Sequence, residues 1–156
     1  MDGHVLWLTG GAGVLALIFA VLAVRRIGAM EVKIERVREL SEIIHRGAMT
    51  FLYREYKALV PFVLLVGVLL AWKASFPLAV SFVLGAFCSA LAGFLGMRVA
   101  TRANGKTAYA ATVGMNQALR VAFTGGVVMG MFVVGIGVLG VVLVYRLYGD
   151  PSVITG

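Results

Sequence analysis

Charge is scarce in this 156-residue chain: 13% of its residues are charged, against 61% hydrophobic. A soluble domain carries about 25% charged residues, so this chain has too few to clothe a soluble surface. Disorder is excluded too, because it needs low hydrophobicity. Cysteine occurs once, at Cys88, which excludes a disulfide framework and any multi-cysteine metal site. Histidine occurs only at His4 and His45, too far apart for a histidine-rich metal site. The seven acids are Asp2, Glu31, Glu35, Glu39, Glu42, Glu55 and Asp150. None belongs to a clustered Asp motif of the kind that holds Mg²⁺ on a phosphate. GxxxxGK[ST] and GxSxG are both missing. What remains is an all-α integral membrane protein.

Four runs without charge are long enough to matter. Residues 5–24 form an uncharged stretch closed by Arg25 and Arg26, and residues 74–97 and 121–145 form two more. Residues 58–72 lie between Lys57 and Lys73. At 1.5 Å per residue this run falls short of a hydrocarbon core of about 30 Å. Tyr56, Trp72 and the two snorkelling lysines can cover the deficit at the interfaces. We therefore expect four transmembrane helices at 5–24, 58–72, 74–97 and 121–145. The first is no ordinary secretory signal, because Met1-Asp2-Gly3-His4 lacks the basic leader.

The scarce charge is unevenly placed. Arg25, Arg26, Lys33, Arg36, Arg38, Arg46, Arg54 and Lys57 lie between the first and second spans. Arg98, Arg102, Lys106 and Arg120 lie between the third and fourth. That is twelve of the 14 basic residues on one side, leaving Lys73 and Arg146 on the other. The positive-inside rule makes segments 25–57 and 98–120 cytoplasmic and sends both ends outward. The net charge of +7 then reflects topology and contact with anionic lipid. The basic residues bracket apolar runs and do not form a patch interleaved with aromatics, so no nucleic-acid partner is expected.

Residues 28–57 read as a long amphipathic helix on the cytoplasmic side. Met30, Ile34, Val37, Ile44, Ala48 and Phe51 keep a three-to-four-residue rhythm. Glu42 with Arg46 forms a favourable i,i+4 pair, and Arg38 with Glu42 the reverse one. Glu31, Glu35, Glu39 and Glu42 share a flank interspersed with Arg and Lys, so they read as a solvated face. His45, beside Arg46, reads as helix surface. In 98–120, Asn104-Gly105 is a turn signal, and Thr107 is a candidate N-cap for the arm that follows. Small residues recur inside the spans: Gly85, Ser89 and Gly93, then Gly126 with Gly130, then Gly135, Gly137 and Gly140. Such positions let helix backbones approach closely. Twenty glycines imply packing against more helices than four. No Asp, Glu, Lys, Arg or His lies inside any span, so an intramembrane proton or cation carrier is missing. Cys88 reads as a packing residue in an apolar span.

Three stretches carry a resemblance. Ile43-Ile44-His45-Arg46-Gly47-Ala48-Met49-Thr50-Phe51-Leu52-Tyr53-Arg54-Glu55-Tyr56-Lys57 resembles the GA-x-x-F/Y-L-x-R-x-Y segment of membrane-bound, ion-pumping pyrophosphatases. Ser81 to Met97, followed by Arg98-Val99-Ala100-Thr101-Arg102-Ala103-Asn104, is similar to their third span and its GM-x-x-A-T-x-A-N ending. Thr107-Ala108, then Leu119 to Phe123 with Gly125-Gly126 and Val128-Met129-Gly130, resembles the start of their fourth span. The likeness runs in order from Gly13 to Thr155. Arg46 departs from it, standing where relatives often carry an acid. So does Gly105, where a larger residue is common.

The resemblance implies a homodimeric pump of about sixteen spans per subunit, far more than this length allows at about 20 residues each. It implies pyrophosphate hydrolysis at a cytoplasmic site of Asp-rich motifs with Mg²⁺, and possible use of K⁺. That reaction would drive outward movement of H⁺ or Na⁺ across a prokaryotic plasma membrane. Residues 1–156 would be the N-terminal, outer-ring portion, partnered by the remaining helices of the pump and the lipid bilayer. The family's substrate-binding carboxylates lie beyond the region matching Gly156. We therefore expect no catalytic, cofactor-binding or metal-binding residue here, and no hydrolysis by this chain alone. The alternative is a free-standing four-helix structural or interaction protein. A small exporter driven by an intramembrane carboxylate is disfavoured, because the spans contain none.

Overall fold

The computed structural model describes residues 3–149, and among them are four helices: α1 (Gly3–Gly28), α2 (Glu35–Lys73), α3 (Phe76–Val113) and α4 (Met115–Tyr148). Each is long and apolar enough to cross a membrane. The protein is therefore a multi-pass, all-α membrane protein.

Three expectations about helix limits need correction. The amphipathic segment does not begin at residue 28. Residues 29–34 are non-helical, and α2 starts at Glu35 behind an extended Ile34. From there α2 continues past residue 57 and through the second span as one 39-residue helix. A lysine at position 57 ends a run of uncharged residues, but it breaks no backbone hydrogen bonds. Pro61 is the local irregularity: it has no N–H to give the carbonyl one turn back. The Asn104-Gly105 turn is also absent. Residues 76–113 form one helix, so Thr107 lies in its interior and caps nothing.

The actual break is Gly114, which serves as C-cap of α3 and N-cap of α4. Its backbone (φ 168°, ψ 152°) is extended, a conformation open to any residue. The link between α2 and α3 is nearly as short. Ser75 accepts a hydrogen bond from the Leu78 amide, and Pro77 occupies the first turn, where its missing N–H costs nothing.

The helices lie in the spatial order α1, α4, α3, α2. α4 packs on α1 and α3, and α3 packs on α2, while α1 barely meets α3. Among the described residues, neither α1 nor α4 contacts α2. This is a row, not a closed four-helix bundle, and α4 is the most buried member. The seams are antiparallel and held by small residues. Gly13 and Gly135 face each other across α1 and α4: a Cβ on Gly135 would lie 2.8 Å from Leu17 and 3.1 Å from the Gly13 carbonyl. Between α3 and α4, a Cβ on Gly125 would come within 2.8 Å of Ala103, and one on Gly140 within 3.2 Å of Cys88 Sγ. The core contains Ala20, Ala23, Ala92, Val128, Phe132 and Ile136, with Val128 fully buried. Lipid is as apolar as these side chains, so close van der Waals packing does the work that water exclusion does elsewhere.

A Cβ added at Gly126 or Gly130 would meet nothing within 4 Å, and the same holds at Gly85 and Gly137. The GxxxG pair therefore faces away from the four helices. Three hydroxyls in the spans bond locally. Thr9, Ser81 and Thr124 each donate to the carbonyl four residues earlier, as an apolar surround requires.

Candidate functional site at the charged ends of the helices

The two basic segments come together at one end of the row. α2 and α3 run antiparallel beyond the apolar spans and meet along a polar seam. Ser41 lies against Gly105, where a Cβ would overlap the serine Oγ and sit 2.6 Å from its Cβ. One turn on, His45 Nδ1 is 2.7 Å from Thr101 Oγ1. Thr101 is buried, at 5% exposure, and its hydroxyl donates to the Met97 carbonyl at 2.9 Å. With that proton committed, the imidazole N–H is the donor to Thr101 Oγ1. Further along, Tyr56 donates to the Ala90 carbonyl at 2.6 Å. Tyr56 thus links two helices.

Of the apolar rhythm on α2, Ile44 and Phe51 are exposed, while Val37 and Ala48 are half-buried. Ser41, His45, Leu52 and Tyr56 face α3. His45 is therefore a helix–helix contact and not free surface. No spacing rule marks a lone histidine as the partner of a threonine 56 positions away. Burial lowers its pKa, as do the nearby guanidiniums of Arg102 and Arg98, with Glu42 opposing them.

Lys106 closes the same end by crossing to α1. Its ammonium donates to the Ile27 and Gly28 carbonyls at the C-terminus of α1, where the last carbonyls lack i+4 helical donors; the Ile27 carbonyl also accepts from the Met30 amide at 3.1 Å. Positive charge at a helix C-terminus also complements the helix dipole. Burial lowers the Lys106 pKa, and Arg102 adds to the effect.

The acids pair along α2 alone. Arg36 with Glu39 (3.3 Å), Arg38 with Glu35, and Arg46 with Glu42 (2.8 Å) are exposed pairs, each worth no more than about 0.5 kcal/mol. Arg38 thus pairs backward with Glu35, not forward with Glu42. Glu31 lies in the non-helical stretch before α2 and shares no flank with the others. Cys88 is half-buried against Gly140. His4 is exposed near the start of α1. Asp2 and Asp150 lie outside the described residues. Among the described residues, no three His, Cys, Asp or Glu side chains gather closely enough to hold a metal ion. The end of the row is thus a hydrogen-bonded, basic assembly.

The model of the inorganic H⁺ pyrophosphatase family matches residues 14–155. The chain belongs to this family. It is 47% identical, over 93% of its length, to a Clostridium tetani protein provisionally named a K⁺-stimulated pyrophosphate-energized sodium pump. It is 44% identical, over 74% of its length, to the K⁺-stimulated pyrophosphate-energized sodium pump of Thermotoga maritima. It is 35% identical, over 93% of its length, to the K⁺-insensitive pyrophosphate-energized proton pump of Methanosarcina mazei. These alignments cover 22%, 16% and 22% of the relatives, so the chain spans about a fifth of their length. The family match covers all three motifs read from the sequence.

Proposed function

We propose that these four helices are the N-terminal, outer-ring scaffold of a pyrophosphate-energized ion pump that moves H⁺ or Na⁺ outward across a prokaryotic plasma membrane. The family match over nearly the whole chain carries this reading, together with the small share of each relative that the chain spans. Pyrophosphate, Mg²⁺ and K⁺ would be handled by the rest of the pump, which would function as a homodimer with no nucleic-acid partner. The glycines left open at Gly126, Gly130 and Gly137 suit packing against further pump helices. The free-standing structural protein gains no comparable support, since it does not account for similarity to pumps.

Two measurements test this reading. The purified 156-residue chain, given Mg²⁺ and pyrophosphate, is expected to release phosphate no faster than a protein-free blank. Mg²⁺-dependent release would overturn the scaffold assignment. For orientation, a membrane-impermeant maleimide applied to intact cells should label Ala74→Cys but not Glu39→Cys or Asn116→Cys, all in a Cys88→Ala background. All three positions are exposed. The basic segments containing Glu39 and Asn116 are assigned to the cytoplasm by the positive-inside rule. The opposite labelling pattern would place both ends of the chain inside.

A further inference from the structure

The sparse contact between α1 and α3 leaves a cleft at the basic end of the row. Its volume is about 230 Å³. Its walls are apolar: Val24 and Ile27 from α1, Leu95 from α3 and Phe132 from α4. Its rim is cationic, with Arg98, Arg102 and Lys106 lining the same space at successive turns of α3.

Those cations lack counter-charge. The ion pairs among the described residues all lie within α2, and none includes Arg98, Arg102 or Lys106. Lys106 is engaged by two α1 carbonyls, but carbonyls do not cancel its charge. Arg98 and Arg102 are exposed. Both raise the local potential enough to weigh on the protonation of His45, and Arg102 does so for Lys106 as well. Three aligned positive groups with no acid beside them form an anion-attracting rim. Arginine in particular offers a planar fork that fits phosphate oxygens.

The level in the bilayer selects the anion. α1 leaves its uncharged run at Val24, one residue before Arg25, so the cleft lies where hydrocarbon gives way to headgroups. A free phosphate would find no donors on the side chains of Val24, Ile27, Leu95 or Phe132. A lipid matches both halves, with its phosphate at the arginines and the upper part of an acyl chain on the apolar walls. Basic pockets between helices are suited to such headgroups.

We propose that the α1–α3 cleft is a binding site for one anionic glycerophospholipid, its phosphate held by Arg98 and Arg102 and its acyl chain laid against α1 and Phe132. The lipid fills the gap that the row order leaves between α1 and α3, and it supplies the negative charge that α3 lacks.

The test is native mass spectrometry of the 156-residue chain in maltoside micelles with equal amounts of dioleoyl phosphatidylglycerol and dioleoyl phosphatidylcholine. Wild type should retain phosphatidylglycerol preferentially. At about 1 kcal/mol per basic group near a membrane surface, Arg98→Gln and Arg102→Gln should each cut that preference about fivefold. Arg98→Lys should keep part of it, and Arg36→Gln with Arg38→Gln, which lie on α2 away from the cleft, should leave it unchanged. Equal retention of the two lipids would overturn the proposal, as would a preference indifferent to Arg98→Gln and Arg102→Gln. Displacement of phosphatidylglycerol by millimolar inorganic phosphate or pyrophosphate would overturn it too, because the site would then take the free anion.

Discussion

Gly135→Val is expected to detach α1 from α4. The new side chain would begin 2.8 Å from Leu17 and 3.1 Å from the Gly13 carbonyl, and the carbonyl belongs to the backbone of a helix with no flexible end to swing aside. Overpacking of this kind costs about 1–3 kcal/mol. In lipid no hydrophobic force opposes the separation, since the freed surface is solvated by acyl chains as readily as by another helix. α1 has no other substantial partner among the four helices, so losing this seam frees it. A disulfide between Gly10→Cys and Val142→Cys reports the seam in a Cys88→Ala background, because a Cβ at Gly10 lies 3.8 Å from Val142 Cγ1, one bond out from the Cβ at that position. Its yield should fall several-fold on adding Gly135→Val. Leu17→Ala should restore only part of that yield, because the carbonyl contact remains. An unchanged yield would show that the two glycines do not set the distance between these helices.

The second large effect is expected at Gly105. Alanine is the better helix former by about 0.5–1 kcal/mol, so on propensity alone Gly105→Ala would stabilise the protein. The structure reverses that sign. The added Cβ would overlap both the Oγ and the Cβ of Ser41, and moving a Cβ means moving its helix. The cost is again about 1–3 kcal/mol, and the His45–Thr101 hydrogen bond one turn away would be strained with it. Gly105→Ala should therefore lower the unfolding midpoint in mixed maltoside–dodecyl sulfate micelles. Ser41→Ala should not rescue it, because the Cβ stays, whereas Ser41→Gly should. The resulting coupling between positions 41 and 105 should exceed about 0.5 kcal/mol. A midpoint raised by Gly105→Ala would mean the helices do not approach this closely.

Gly105 also shows what a single sequence can and cannot convey. Asn104-Gly105 has the composition of a turn, and local chemistry alone favours one. The structure keeps the helix intact because Gly105 is needed where α2 crosses α3, a demand made by Ser41, 64 positions earlier in the chain. The spans themselves are readable, since the bilayer imposes one rule on every residue in it and an uncharged run satisfies that rule visibly. Helix limits outside the bilayer follow backbone hydrogen bonding, to which charge is a poor guide: α2 passes through Lys57 without interruption, while a single residue, Gly114, divides α3 from α4.

The face of α2 is hidden for a related reason. In water an apolar stripe turns inward, but beside a membrane Ile44 and Phe51 can face outward while Ser41 and His45 find polar partners on α3. The basic end is legible as a count of charges. Its cleft is not, because Lys106 reaches Ile27 and Gly28 only once the row has formed.

The order of that row also sets a timetable. α2 and α3 are joined by a two-residue link, and α3 and α4 by one residue, so each of these pairs can close as soon as its second helix leaves the ribosome. α1 is different: the helix it packs against is the last of the four to be made. About a hundred residues separate the end of α1 from the part of α4 it must meet. At about 5–20 residues per second, α1 spends roughly 5–20 seconds in the bilayer without its partner. During that interval its glycine face is open to any passing helix, and the first of the four helices to be inserted is the last to be secured.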